Sequence, residues 1–422
     1  IHQYDLFDLS LEELLQIDIV DKNFYLYGYI NANLQKTFSV PSLNEAGETV
    51  RTNDPAEWAG IKNFHIYGSG NLSSRISYLF NLAYADELIE IRNAWGNFKF
   101  TDGFQIRVGK MYRKFGLYNE RLDQIPTFIG IEPPEMLDSD HLFLQRTTNF
   151  MIHGSKTGAS YQLSYALMTD NGEGGPEQKL FPLGWDARIK SFRNSFIVGL
   201  SGYAASITSA HAMPTVALGD GPPQGGVLPW MQGDRYFLNG VFLEKQMGRI
   251  LLQTEFYAAR HKAHRNPESV LTIVKEASIN QTQRERFLGA NAAKPDAELT
   301  TDDVVLDTDF TVVTAYIRLG YNIQSNAGQF VPYLFVDWMS HPENIRNKTF
   351  GGDDETGLAD NGKFIKPSLG VVYRPMPNVA IKFDGSYHTQ KFNGKHTIYP
   401  ELRLDFSFAF SNTQLEKFTA GN

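Results

Sequence analysis

The chain has no cysteine among its 422 residues. Disulfide frameworks, zinc–thiolate sites and thiol nucleophiles are therefore excluded. No apolar run approaches the roughly 18 residues that a membrane-crossing helix needs. An excess of positive charge is also missing. The net charge is −8, which argues against a nucleic-acid partner, because such binding rests on neutralising phosphates. No signal peptide is visible at Ile1; in a processed exported chain that is uninformative. Catalytic signatures are absent too. There is no Gly-x-Ser-x-Gly elbow, and His153-Gly154-Ser155 is an isolated pair, so no catalytic residues are assigned and no enzyme is expected.

What the chain does have is strict period-two alternation. The run Leu402-Arg403-Leu404-Asp405-Phe406-Ser407-Phe408-Ala409-Phe410 places apolar side chains on one face and charged or small ones on the other. Such a strand has one face for hydrocarbon and one for water. Near the other end, Phe24, Leu26, Gly28, Ile30, Ala32 and Leu34 alternate with Tyr25, Tyr27, Tyr29, Asn31, Asn33 and Gln35. The mean hydropathy of −0.31 reads as that of a soluble protein, but alternating wet and greasy residues average out. The 30 Phe and 20 Tyr suit interfacial aromatic girdles.

Sixteen such segments are predicted, near 23–37, 61–69, 74–85, 88–100, 104–115, 147–154, 159–168, 184–192, 195–205, 235–246, 249–260, 309–321, 329–340, 364–374, 378–388 and 399–410. Tight connections alternate with long ones at 38–60, 116–146, 169–183, 206–234, 261–308 and 341–363, and with a shorter one at 389–398; the connection near Ala85–Glu87 is short where a longer one is expected. An even strand count with alternating loop lengths predicts an all-β fold: a 16-stranded antiparallel transmembrane β-barrel with short periplasmic turns, long extracellular loops and an inward-folded third loop. A soluble β-sandwich or solenoid is the competing fold, but its loops need not alternate in length. The barrel spans 22–410. Residues 1–21 form an N-terminal periplasmic segment with a short helix, capped by Ser10-Leu11-Glu12-Glu13, and 411–422 a C-terminal periplasmic tail.

Sixteen strands enclose more space than side chains can fill, so passive diffusion of small polar or ionic solutes is the expected function. The third long connection is too apolar to sit in water, with Ile125, Phe128, Ile129 and Ile131, and is the candidate constriction. Its charged candidates are Glu120, Arg121, Asp123, Glu132, Glu135, Asp138 and Asp140. Strand parity puts Arg75, Arg107, Arg113, Arg188, Lys190, Arg374, Lys382 and Arg403 on the watery wall, with Arg318 and Lys366. Asp186, Glu255, Asp337, Asp384, Glu401 and Asp405 share that face. An acidic loop facing a basic wall would set up a transverse field across a narrow waist. Several of the acids would equally serve as turn caps, and wall charges as cross-strand partners.

The run Phe104-Gln105-Ile106-Arg107-Val108-Gly109-Lys110, followed by Lys114-Phe115-Gly116-Leu117-Tyr118-Asn119-Glu120, resembles the fifth strand and the beginning of loop three in Gram-negative outer-membrane porins. It is most similar to the phosphate-selective porin O/P-like group, in which proline usually stands at the position of Lys114. Phe410 resembles the closing aromatic of such barrels, although twelve residues follow it. The resemblance implies a Gram-negative outer-membrane location, a homotrimer and a diffusion channel. It does not carry over phosphate selectivity, because the candidate loop is acidic. Non-selective or weakly cation-preferring diffusion is expected, with anion selectivity and a docking or adhesion barrel as alternatives.

No cofactor is expected. Gly351-Gly352-Asp353-Asp354-Glu355 and Asp302-Asp303 with Asp307 and Asp309 are acidic clusters that would at most bind Ca2+ weakly, or bridge to lipopolysaccharide, since neither has EF-hand spacing. His261 and His264, three apart on a strand or turn, are poorly placed for a shared metal. Within the 261–308 loop, Pro267–Leu288 has helical character and stops at Gly289. Its stripe of Val270, Leu271, Val274, Ala277 and Leu288 fits a folded decoration, or a lid or partner site over the mouth. The N-terminal segment would contact the rim or an envelope partner. Outer-membrane lipid and lipopolysaccharide complete the expected surroundings.

Overall fold

The computed structural model describes residues 24–44, 48–53, 57–85, 88–137, 146–170, 182–207, 228–346 and 356–412. The expected helix at Ser10–Glu13, Asp138, Asp140, the Gly351–Glu355 cluster and the tail beyond Asn412 lie outside these residues.

Sixteen antiparallel strands close into one ring. They are β1 (Tyr25–Thr37), β2 (Glu57–Ser73), β3 (Ile76–Ala85), β4 (Leu88–Thr101), β5 (Phe104–Tyr112), β6 (Arg146–Thr157), β7 (Tyr161–Asp170) and β8 (Leu183–Ser191). The second half comprises β9 (Phe196–Ile207), β10 (Met231–Met247), β11 (Ile250–Arg265), β12 (Asp307–Tyr321), β13 (Gly328–Ser340), β14 (Lys363–Met376), β15 (Val379–Phe392) and β16 (Lys395–Ser411). A short segment, Ile323–Ser325, continues β12 along β13. Closure comes from β1 pairing with β16, for example Ala32 opposite Phe406 and Asn33 opposite Asp405. Every expected strand is present, and the closed ring itself leaves no edge for unwanted pairing; a separate two-stranded hairpin, Val40–Leu43 with Thr49–Thr52, lies in the first long loop.

The alternation now has its cause. On β16 the exposed Leu402, Phe406 and Phe408 point out, while Glu401, Arg403, Asp405 and Ser407 are buried inside. Leu163, Leu167, Ile189, Leu200, Val241, Phe256, Ile317 and Leu369 continue the apolar outer wall around the ring. A continuous apolar band of this kind costs free energy in water and is stable against lipid tails. Among the described residues no helix is long and apolar enough to cross a membrane, and the crossing elements are strands.

One connection is shorter than expected. β15 runs to Phe392 and β16 begins at Lys395, so the expected 389–398 loop is the two-residue turn Asn393-Gly394. Both residues have positive φ, 49° and 74°, as a type I′ hairpin requires. The short connection read near Ala85–Glu87 is borne out, β3 ending at Ala85 and β4 beginning at Leu88.

The 266–306 loop is folded, as two helices rather than one. α1 (Pro267–Glu276) is capped by Asn266, and α2 (Gln281–Leu288) by a capping box of Asn280 and Gln283. Gly289, at φ 54°, ends α2. Val270, Ile273, Val274, Phe287 and Leu288 are buried in one cluster with Trp230 and Ile345. Arg265 and Glu343 form a buried 2.7 Å ion pair. Gln283 Nε2 donates to the carbonyls of Asn344 and Gly357, and Arg346 donates to Pro41 O. The loops that follow β1, β11 and β13 therefore form one assembly at the long-loop end.

Candidate pore constriction

Loop three leaves β5 and turns into the barrel at Gly116, whose φ is +61°. A Cβ there would lie 2.0 Å from Glu255 Oε2, so both backbone and space require glycine. The approach is that close because Glu255 receives the loop. Its carboxylate accepts from Leu117 N (3.0 Å), Tyr257 OH (2.8 Å) and Tyr316 OH (2.7 Å). Ser201 Oγ accepts from Gly116 N at 2.9 Å. One wall, β9 to β12, thus fixes the beginning of the loop.

The chain then crosses to nearly the opposite wall. Asp123 accepts from Arg92 (2.8 Å) and Asn81 (3.2 Å), and its carbonyl accepts from Tyr67 OH (2.7 Å). Further on, Lys382 donates to Ile125 O at 2.5 Å, and Arg374 to Pro126 O and Thr127 O at 3.0 and 3.2 Å. Glu132 pairs with Lys366 at 2.5 Å and with Arg403. Arg318 donates to Glu132 O, and Glu135 N to Asp337 at 2.6 Å. Phe115, Tyr118, Phe128, Ile129 and Met136 pack against inward aromatics of β11 to β13, including Tyr257, Tyr316 and Tyr333. This apolar packing explains why the loop is so rich in large hydrophobic residues.

The expected transverse field therefore takes a different form. The basic wall and acidic loop are in direct contact and largely neutralise one another. Arg374 and Lys382 carry backbone carbonyls, and Lys366 and Arg403 hold Glu132. Arg113 is not water-facing: it is 1% exposed, 2.8 Å from Asp170, and donates to Tyr203 OH. Arg75 lies exposed in the β2–β3 turn. Lys190 is exposed at the short-turn end of β8.

The charged side chains that keep partial contact with water cluster on the β5–β8 side of loop three. Glu120 lies 3.2 Å from Arg188 and 3.9 Å from Lys114. Arg121 reaches Glu244 at 2.9 Å. Arg107 stacks over the Trp95 ring at 4.1 Å and has no carboxylate within ion-pair distance among the described residues. Burial works to raise the Glu120 carboxyl, but Lys114, Arg188, Arg107 and Arg121 outweigh it and hold it below its ordinary value. Glu132 behaves alike: burial raises it, and Arg403 and Lys366 bring it down.

Sequence parity missed Arg92. A bulge between β3 and β4 turns both Arg92 and Asn93 inward, where strict alternation would put Arg92 outside. Lys114, Glu244 and Tyr67 were also missed; each matters only through loop three, whose path no local pattern states. His261 and His264 point to opposite faces of β11. His261 is buried against Asp234 at 2.7 Å, while His264 meets Asp307 outside. Asp303 serves as a turn cap, accepting from Thr300 N and from Lys294. Among the described residues no three His, Asp or Glu side chains converge as metal ligands.

No protein-family model matches the chain, and no curated protein matches it. Solved structures do match its fold. The anion-selective porin from Comamonas acidovorans has a TM-score of 0.52 at 9% identity, over 92% of this chain and 99% of that one. The outer membrane channel DcaP of Acinetobacter baumannii has a TM-score of 0.50 at 10% identity, over 92% and 97%. A loop L8 deletion mutant of OmpT, an outer membrane protein of Vibrio cholerae, also scores 0.50 at 10% identity, over 92% and 99%. The chain thus shares the fold of outer-membrane β-barrels.

Proposed function

We propose that this protein is a porin-type channel in the outer membrane of a Gram-negative bacterium, passing small polar or ionic solutes by passive diffusion, and that it is not an enzyme. The observation that carries this reading is the charged, partly hydrated cluster of Arg107, Lys114, Glu120, Arg121 and Arg188 beside loop three, inside a closed ring. Short turns then face the periplasm and long loops the exterior.

The preference is for anions rather than cations. Glu132, Glu135 and Asp123 are engaged by Lys366, Arg403 and Arg92, while Arg107 remains without an ion pair. This favours the anion-selective alternative over weak cation preference. Membership of the phosphate-selective group has less support, because three of the four cations in the cluster are arginines. A homotrimer is part of the proposal. Phe24 just before β1, Leu26 on β1 and Phe406 on β16 are exposed, where a partner would cover them.

The test is the reversal potential of the purified protein in a salt gradient across a planar bilayer, paired with liposome swelling in small sugars. An anion-sided reversal potential that falls toward zero in Arg107→Ala supports the reading. Intact barrels that pass neither ions nor sugars would overturn it in favour of a docking barrel built on the joined outer loops.

A further inference from the structure

Three cations lie where the proposed channel has no use for them. Arg235 on β10 and Arg260 and Lys262 on β11 point outward, away from the lumen, and are exposed. Arg235 is the direct cross-strand neighbour of Lys262, and Arg260 that of Phe237. None of the three has an ion pair or side-chain hydrogen bond among the described residues, although Asp309 stands opposite Lys262 on β12. They border a groove of about 770 Å³ on the outer wall between β8 and β12.

Their height is as informative as their charge. All three sit at the long-loop end of the wall. Beside and below them the outward positions are mostly apolar: Phe237 lies level with Arg260, and Leu200, Val241 and Phe256 follow, all about half exposed. From Arg260 down to Ile250 the strand falls roughly 26 Å, at ~3.4 Å per residue and a tilt of ~40°, close to the ~25 Å apolar band of such barrels. Arg260 therefore marks the upper boundary of the hydrocarbon. Cations at that boundary above an apolar shelf match one chemistry: a phosphorylated headgroup carrying acyl chains.

We propose that this groove binds the phosphorylated glycolipid of the outer leaflet, with its phosphates on Arg235, Arg260 and Lys262 and its acyl chains along Phe237 and Phe256. The guanidinium forks suit bidentate phosphate contacts, and the surrounding lipid lowers the screening that would weaken them in water. The inference rests on the outer-membrane placement proposed above.

The test uses the full chain in detergent, titrated with diphosphorylated lipid A, its phosphate-free analogue, or inorganic phosphate, and followed by native mass spectrometry. Lipid A is expected to bind at least tenfold more tightly than the phosphate-free analogue. The Arg235→Gln/Arg260→Gln/Lys262→Gln variant is expected to lose that preference with unchanged bilayer conductance. Equal binding by variant and wild type, or by the two lipids, would overturn the site. So would an affinity for inorganic phosphate equal to that for lipid A. Dissociation of a native oligomer in the variant would reassign the patch to a subunit interface. Conductance is read separately, so a barrel that binds lipid but does not conduct would sink the channel reading and leave this site standing.

Discussion

The Lys366 ammonium lies 2.5 Å from the Glu132 carboxylate, and Arg403 grips the same carboxylate from β16. One loop acid thus joins two wall cations that would otherwise face the lumen. Replacing Glu132 with Gln is expected to release positive charge into the channel. The reversal potential in a salt gradient should move further toward anions, and current noise should rise as the loop loosens. An unchanged reversal potential would show that the pair lies outside the conducting path.

Gly116 offers a more drastic test. A valine there needs a left-handed backbone and places a methyl-bearing carbon against Glu255. Loop three should lose its seat on β9 to β12 while the barrel still closes. The expected outcome is a Gly116→Val protein that keeps its β-sheet circular dichroism but shows higher single-channel conductance. Wild-type conductance would mean that loop three does not set the waist.

Acid should act late. Glu120 and Glu132 both titrate below the ordinary value of 4.5. A carboxyl depressed in the folded state contributes stability above its unfolded value, and that contribution is lost as pH falls through the folded value. The contribution of these two carboxylates to selectivity is therefore expected to stay constant from pH 7 to pH 5 and to be lost only below about 4.5. Bilayer recordings of the wild type beside Glu120→Gln and Glu132→Gln over that range check this, and a transition above pH 5.5 that either substitution abolishes would contradict it.

Two arginines of similar sequence context should behave oppositely. Arg113 and Asp170 are both almost fully buried, so Arg113→Ala strands a carboxylate and is expected to cost about 3–5 kcal/mol. Arg107 makes no ion pair, so Arg107→Ala should change selectivity and leave urea unfolding nearly unmoved. A reversed pattern in unfolding experiments would invert the two roles.

The strands were legible because every one of them separates two solvents. Side-chain parity on β1 and β16 alone tells greasy from wet, with no knowledge of neighbours. The wall–loop contacts were not legible, because their partners are distant in sequence: Glu132 and Arg403 are 271 positions apart. Parity also fails at a bulge, which hid Arg92. The Asn393-Gly394 turn is legible in the sequence, since Asn-Gly between alternating runs marks a two-residue hairpin, and it shortens the expected 389–398 loop. Burial of Arg113 could not be read locally, because Tyr203 and Asp170 arrive from other strands.

Because Arg403 belongs to the last strand, loop three cannot be fully seated until the whole chain has been threaded. Contacts of such long sequence separation form late. A barrel caught before its seam zips would carry loop three unfastened, so on the proposed reading the width of the opening would be set last in biogenesis.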